Sequence, residues 1–326
     1  MHRLTIFHQK MKAFQKVLFF FFLFSSTTFF AQDAVKKTVP DTISHWEKKN
    51  TVGLDISQIA FLNWNAGGVN SVSGLLKGNF LRKYQKGNLK WVNEMIIRYG
   101  VNKQDGIELR KTDDAFQFNS TLGYRKDTIT NWYSSAKFNF NTQFTNGYAY
   151  PNTTKAISKP FAPAYIFLGV GSEYSNKEKK LNVYISPLTM KTTLVLDQTL
   201  ANQGAFGVNK AVYDVDGNLI KKGELYRMEL GFLVTNYYKK EIYKNIIWEN
   251  RLSLYSDYIN HFGNIDVDWQ MQFELVVNEY VRANIGAHFI YDDDIKAKEE
   301  RNGEQITVGP KLQLKQMLGV GLVYNF

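Results

Sequence analysis

The stretch Ile265-Asp266-Val267-Asp268-Trp269-Gln270-Met271-Gln272-Phe273-Glu274-Leu275-Val276-Val277 decides the fold. Its odd-numbered residues are all apolar or aromatic, and its even-numbered residues are carboxylates or amides as far as Glu274. A period of two is that of a β-strand. A strand this long, apolar on one face and charged on the other, inverts what a closed barrel in water requires. It suits a barrel whose wall meets lipid outside and water inside.

The same alternation recurs in both directions from that stretch. Leu89, Trp91, Met95, Ile97 and Tyr99 oppose Lys90, Glu94 and Arg98, with Asn93 the one polar break on the apolar side. Phe116, Phe118, Leu122 and Tyr124 oppose Gln117, Asn119, Thr121 and Arg125. Trp132, Ala136, Phe138, Phe140 and Phe144 oppose Lys137, Asn139, Asn141 and Gln143, and Ile246, Trp248, Leu252, Leu254 and Tyr258 oppose Glu249, Arg251 and Asp257. Charge is nearly absent from the apolar faces. A lysine or arginine facing lipid at the bilayer midplane costs roughly 2–4 kcal/mol, so a lipid solvent selects for that asymmetry. Soluble β-sandwiches alternate too, but with strands of about five or six residues.

The pattern predicts an all-β fold, a transmembrane antiparallel β-barrel of about 12 strands, over 51–60, 70–84, 89–100, 113–125, 131–145, 163–174, 180–195, 224–238, 244–258, 264–277, 281–292 and 311–326. An even count is the rule for bacterial barrels. The connections after the even-numbered segments are short. Four of the odd-numbered ones are long, near 101–112, 146–162, 196–223 and 293–310. Short periplasmic turns and long outer loops would put both termini in the periplasm. Within 180–195 the apolar phase changes, from Leu181, Val183 and Ile185 to Leu188, Met190 and Leu194, and a bulge at Ser186-Pro187 would reset it. Gly169 and Gly171 face inward beside Tyr165 and Phe167. They mark either the close approach of a plug, loop or ligand, or an inward bend of the wall itself.

The chain ends Leu318, Val320, Leu322, Tyr324, Phe326 on alternate positions. This resembles the terminal strand read by the barrel-assembly machinery, which makes Tyr324 and Phe326 the candidate membrane-insertion signal. At the other end Arg3, Lys10, Lys12 and Lys16 precede the apolar run 17–24 and a Ser/Thr stretch, the layout of a cleavable secretion signal over 1–31. Cleavage is expected after Ala31, and Met11 onward also reads as a complete signal. Residues 32–50 read as a polar periplasmic lead-in, and 51–326 as the barrel. The apolar run is far shorter than the roughly 20 residues a spanning helix needs, and no later segment approaches 18 consecutive apolar residues.

Composition narrows the class further. The chain has no cysteine, which excludes disulfides and a cysteine-linked lipid anchor. It carries 40 Lys+Arg against 30 Asp+Glu, and with four of those bases in the signal the remaining excess is modest. The charges are scattered along strands rather than gathered in a basic patch, so no nucleic-acid partner is expected. The partners expected are outer-membrane lipids, the barrel-assembly machinery during biogenesis, and other envelope proteins.

Several blocks in order resemble a family of Bacteroidota outer-membrane β-barrels known as a domain of unknown function. They are Asn63-Trp64-Asn65-Ala66-Gly67-Gly68-Val69-Asn70-Ser71, Arg110-Lys111-Thr112-Asp113-Asp114, Ala162-Pro163-Ala164-Tyr165, Ser186-Pro187-Leu188-Thr189, Gly204-Ala205-Phe206-Gly207 and Tyr291-Asp292-Asp293-Asp294. The resemblance implies a barrel and its location, and brings no activity, cofactor or catalytic residue.

The inward charges are the candidate functional residues: Lys90, Glu94, Arg98, Lys137, Arg227, Glu229, Glu249, Arg251, Asp266, Asp268, Glu274 and Arg282. With signs mixed, they either line a narrow aqueous pore or pair across the lumen and close it. Asp292-Asp293-Asp294 is either an acidic rim, a partner for basic residues, or a set of oxygen ligands for a divalent cation. Gly67 and Gly68, beside Trp64, serve turn geometry or bring backbone near a sugar or headgroup. Of the histidines, His45, His261 and His288 follow the signal, and no serine sits in a nucleophile elbow. The chain is therefore expected not to be an enzyme, to need no cofactor or metal, and to serve as a channel or transporter for small solutes. The alternatives are an accessory barrel of a larger outer-membrane assembly and a membrane-embedded hydrolase.

Overall fold

The computed structural model describes residues 44–60, 69–260, 262–301 and 304–326. Twelve strands close a barrel: β1 (Trp46–Ile59), β2 (Ser71–Lys86), β3 (Leu89–Gln104), β4 (Arg110–Tyr124), β5 (Trp132–Thr142), β6 (Ala164–Asn176), β7 (Leu181–Leu194), β8 (Tyr226–Tyr243), β9 (Ile246–Asp257), β10 (Asp266–Val276), β11 (Val281–Tyr291) and β12 (Gln313–Asn325). Each pairs antiparallel with its neighbours in sequence, and β1 closes the ring on β12 through Thr51 opposite Asn325 and Asp55 opposite Gly321. Both ends of the barrel chain lie together, with Asn50 and Phe326 exchanging two backbone hydrogen bonds of 3.1 and 3.2 Å.

Residues opposite each other in an antiparallel pair share a face, so the register fixes which side chains face the lumen. The row Leu75, Gly100 and Asp113 points in, and the row Leu76, Tyr99 and Asp114 lies on the other parity. The outcome is the inverted burial the alternation predicts. Leu318 and Leu322 are 79% and 59% exposed on the outer wall, whereas Lys90 and Glu229 are 4% and 3% exposed inside. Aromatic side chains gather at the short-turn end. Trp46 packs on Tyr84 and Trp91, Trp132 on Tyr174, Tyr238 on Trp248, and Tyr324 stacks on Phe326. An apolar band edged by such rings is built for a membrane interface.

Several boundaries differ from the sequence reading. β1 begins at Trp46, inside the segment 32–50 read as lead-in, because Trp46 joins that aromatic ring while Glu47 pairs with Lys83 at 3.3 Å. β3 and β4 run past their predicted ends, so the long connection expected over 101–112 is only a tight turn over 105–109. The shift at Ser186-Pro187 is a bulge. Leu233 pairs Ser186 and Gly231 pairs Thr189 on one side, and on the other Val170 pairs Leu188 and Ser172 pairs Ile185. The bulge leans into the lumen over the β6 glycines. A Cβ at Gly171 would overlap the Ile185 carbonyl and come within 2.7 Å of Ser186 Cα, so it is the wall itself that claims the space. The signal segment, Trp64, Gly67, Gly68 and His261 lie outside the described residues.

Candidate functional site

The lumen is crossed. Arg251 on β9 donates from Nη1 and Nη2 to the two carboxylate oxygens of Glu94 on β3, at 3.0 and 3.1 Å. Five strands intervene between β3 and β9 in either direction around the ring, so this bidentate pair spans a diameter. Asn79 donates to Glu94 at 2.8 Å, while Arg251 Nε and Lys239 Nζ both hold Glu249, at 2.8 and 2.6 Å.

On one side of the bridge the lumen is filled. Tyr184, Leu233 and Tyr255 form a buried cluster with Phe167 against it, and Lys137 donates to Thr235 at 3.0 Å above the Tyr184 ring. Toward the short turns, Lys90 reaches Glu173 at 2.8 Å. Toward the long loops, Lys191 is buried among Asp266 at 2.7 Å, Asp292 at 3.4 Å and Glu229 at 3.6 Å. Arg227 holds Asp294 at 2.7 Å and Glu229 at 3.4 Å. The acidic triplet therefore meets basic residues of the barrel wall rather than forming a free rim, and Asp293 accepts from Asn264 at 2.6 Å.

On the other side of the bridge lies a cavity of about 520 Å³. It follows the wall lengthwise, touching Thr51, Gly53, Asp55 and Ser57 on β1 and Lys315, Met317, Gly319 and Val323 on β12. At about 3.3 Å per residue the β1 run alone covers roughly 20 Å along the strand. Lys77 pairs with Asp55 at 2.7 Å, Arg282 with Glu274 at 3.2 Å, and His288 Nε2 lies 2.9 Å from Asp268. Arg98 Nε and Lys315 Nζ share one oxygen of Asp113, at 3.3 and 2.8 Å.

The long-loop end carries a small folded cap. The α1 helix (Gln198–Asn202) is capped by Asp197, which accepts from the Leu200 N–H at 3.0 Å and from Lys159 at 2.5 Å. Ala162, Val195, Leu200, Ala201 and Val208 form a buried core, with Ala205 and Phe206 packed on it. The cap is tied to the wall by Arg227, which donates to the Gly207 carbonyl at 3.3 Å. Lysine and the helix N-terminus together hold the Asp197 carboxyl below the usual aspartate range, the Lys159 hydrogen bond contributing most.

All twelve inward charges read from the sequence thus take part in lumen contacts, and each except Lys137 and Asp268 has an oppositely charged partner named above, Asp268 meeting the His288 ring instead. The sequence reading passed over Asp55, Lys77, Asp113, Glu173, Lys191 and Lys315. The parity of their strands already marked these six as inward, Lys191 only once the bulge had reset the phase. Lys239 lay in a predicted turn because β8 runs further than its apolar pattern.

A closed barrel, apolar outside and ion-paired within, defines the class: this is a transmembrane β-barrel. Residues 56–148 match a family described as "Protein of unknown function (DUF3078)". Among solved structures the chain is similar to an outer-membrane channel from Pseudomonas putida F1, at 11% identity over 86% of this chain and 95% of that one, with a TM-score of 0.38. It is similar also to the NanC porin, at 12% identity over 84% and 98%, TM-score 0.36. A third is the translocator domain of the autotransporter NalP from Neisseria meningitidis, at 9% identity over 85% and 87%, TM-score 0.34. No curated protein matches the chain in sequence.

Proposed function

We propose that this chain is an outer-membrane channel for small polar solutes, running through the half of the lumen beside the Glu94–Arg251 bridge. The observation that carries the reading is the cavity along β1 and β12, which Asp55, Ser57, Lys77, Arg98 and Lys315 line. With strands tilted by about 35–45°, it runs roughly 15 Å along the barrel axis, over half of an apolar band of about 25 Å. Its cross-section is narrow because the bridge and the aromatic cluster take up the rest of the lumen. The cap over 196–223 stands at the long-loop end, where it would gate entry. On this reading the secretion signal delivers the chain through the inner membrane, the Tyr324–Phe326 end is read by the assembly machinery, both termini are periplasmic, and the source is a bacterium of the Bacteroidota type. We assign the barrel no catalytic step.

Single-channel recording of the mature chain in a planar bilayer tests the proposal, beside a variant lacking 196–223. Heat-dependent gel migration serves as the check that each barrel is folded. Steady conductance that rises with the deletion is expected. A silent bilayer from folded protein of both kinds would refute it. The cross-lumen ion pair favours one second reading, a closed barrel acting as an accessory subunit, and stoichiometric co-purification with an envelope protein would support that instead.

A further inference from the structure

The charges around the cavity do not balance. Lys77 is matched by Asp55, Arg282 by Glu274, and the pair Arg251 and Lys239 by the pair Glu94 and Glu249. Arg98 and Lys315 have one carboxylate between them, that of Asp113. Arg98 Nε is buried and, though 3.3 Å from Asp113, makes no aligned hydrogen bond. A second donor is left over on the same wall. Asn284 is 8% exposed, its oxygen accepts from Gln272 at 2.9 Å, and its Nδ2 is buried with no hydrogen-bond partner among the described residues. Buried donors left without a hydrogen bond are costly, so these two gain from a ligand rich in acceptors. A ligand proton or bridging water would serve the buried acceptors Asp55 Oδ1 and Asp113 Oδ2, which likewise make no aligned hydrogen bond among the described residues. One carboxylate outside these pairs, Asp268, is bonded to His288 and does not line the cavity. The acid-rich group around Lys191 lies across the bridge, on the filled side.

We infer that the half-lumen is an anion path, with Arg98 and Lys315 together holding a small oxyanion of carboxylate or phosphate type while Asn284 supplies a donor along the same wall. This rests on the channel reading for its transport sense, but the binding site stands on its own geometry. Guanidinium is suited to such a ligand because its fork matches two oxygens, and a lysine beside it adds a mobile point charge. Walls bearing arginine and lysine select anions in pores generally.

The test has two arms. In a bilayer under a potassium chloride gradient, the reversal potential should report a chloride-over-potassium permeability ratio above unity. Asp113→Asn should raise that ratio, and the double variant Arg98→Gln/Lys315→Gln should bring it to unity or below. A ratio below unity in the unaltered barrel, or one unmoved by both variants, would overturn the assignment. In the second arm, detergent-solubilised folded barrel is titrated calorimetrically with inorganic phosphate and, separately, with acetate. Saturable heat from either one that vanishes in the double variant upholds the site, and the stronger ligand names the solute type. No saturable heat from either overturns it. A silent bilayer with saturable heat would remove the channel reading and leave the anion site standing.

Discussion

Removing the bridge between Glu94 and Arg251 is the sharpest test of how this lumen is built. Two charge-assisted hydrogen bonds of 3.0 and 3.1 Å join them. Bonds to charged groups contribute about 1.5–3 kcal/mol each, which sets a ceiling of about 3–6 kcal/mol for the pair. Two structural facts lower that figure. The side chains keep 27% and 19% of their exposure and so stay partly hydrated, and Arg251 retains Glu249 at 2.8 Å when Glu94 is lost. A coupling energy of about 2 kcal/mol is therefore expected from the cycle of Glu94→Ala, Arg251→Ala and the double variant. Urea unfolding from lipid vesicles, followed by tryptophan fluorescence, reads it directly. Because β3 and β9 face each other across the ring, no route along neighbouring strands would produce such coupling. A value under about 0.5 kcal/mol, within what independent sites show, would mean that the lumen is not bridged. In the same proteins the double variant should conduct more than the unaltered barrel, since it clears the diameter.

Two further outcomes follow from the wall and from the cap. Leu252 faces outward in the middle of β9, so Leu252→Arg should lower stability by roughly 2–4 kcal/mol in the same vesicle assay, a loss not expected of Ser57→Arg, which faces the cavity from β1. At the cap, the Asp197 carboxyl is held below its ordinary value by Lys159 and by the Leu200 N–H, so its contribution is present above the unfolded value near 4 and is lost as pH falls through the lower folded value. Pepsin cleavage within 196–223, measured relative to an unfolded reference substrate, should accelerate as pH drops below about 4. Asp197→Asn should be cut readily at every pH in that range, without the step.

Much of this architecture was legible because lipid and water impose opposite rules on alternate residues. Ile265 to Val277 and eleven segments like it declared strand, direction of facing and closure, and the even count with alternating turn lengths put both barrel ends on one side. The bulge at Ser186-Pro187 could be read from a phase change, since a strand has only two faces and a slipped phase needs an extra residue. What the segments do not carry is who meets whom across the lumen. Glu94 and Arg251 lie 157 residues apart, and only ring closure sets them opposite each other. The shared carboxylate of Asp113 depends in the same way on β12 meeting β1, which brings Lys315 within reach of β4.

The cap shows the same division. Val195, Leu200, Ala201 and Val208 are too few and too irregularly spaced to announce a core, and Ala162 comes from a different loop. They bury one another only because the barrel rim holds the two loops side by side. The period of the chain by itself determined a transmembrane barrel and the side each residue faces, because one-dimensional alternation is enough to sort residues between two solvents. The half-lumen cavity, the diametric bridge and the uneven charge around Asp113 were decided by tertiary structure alone, because contacts across a closed ring depend on curvature and stagger that no single strand contains.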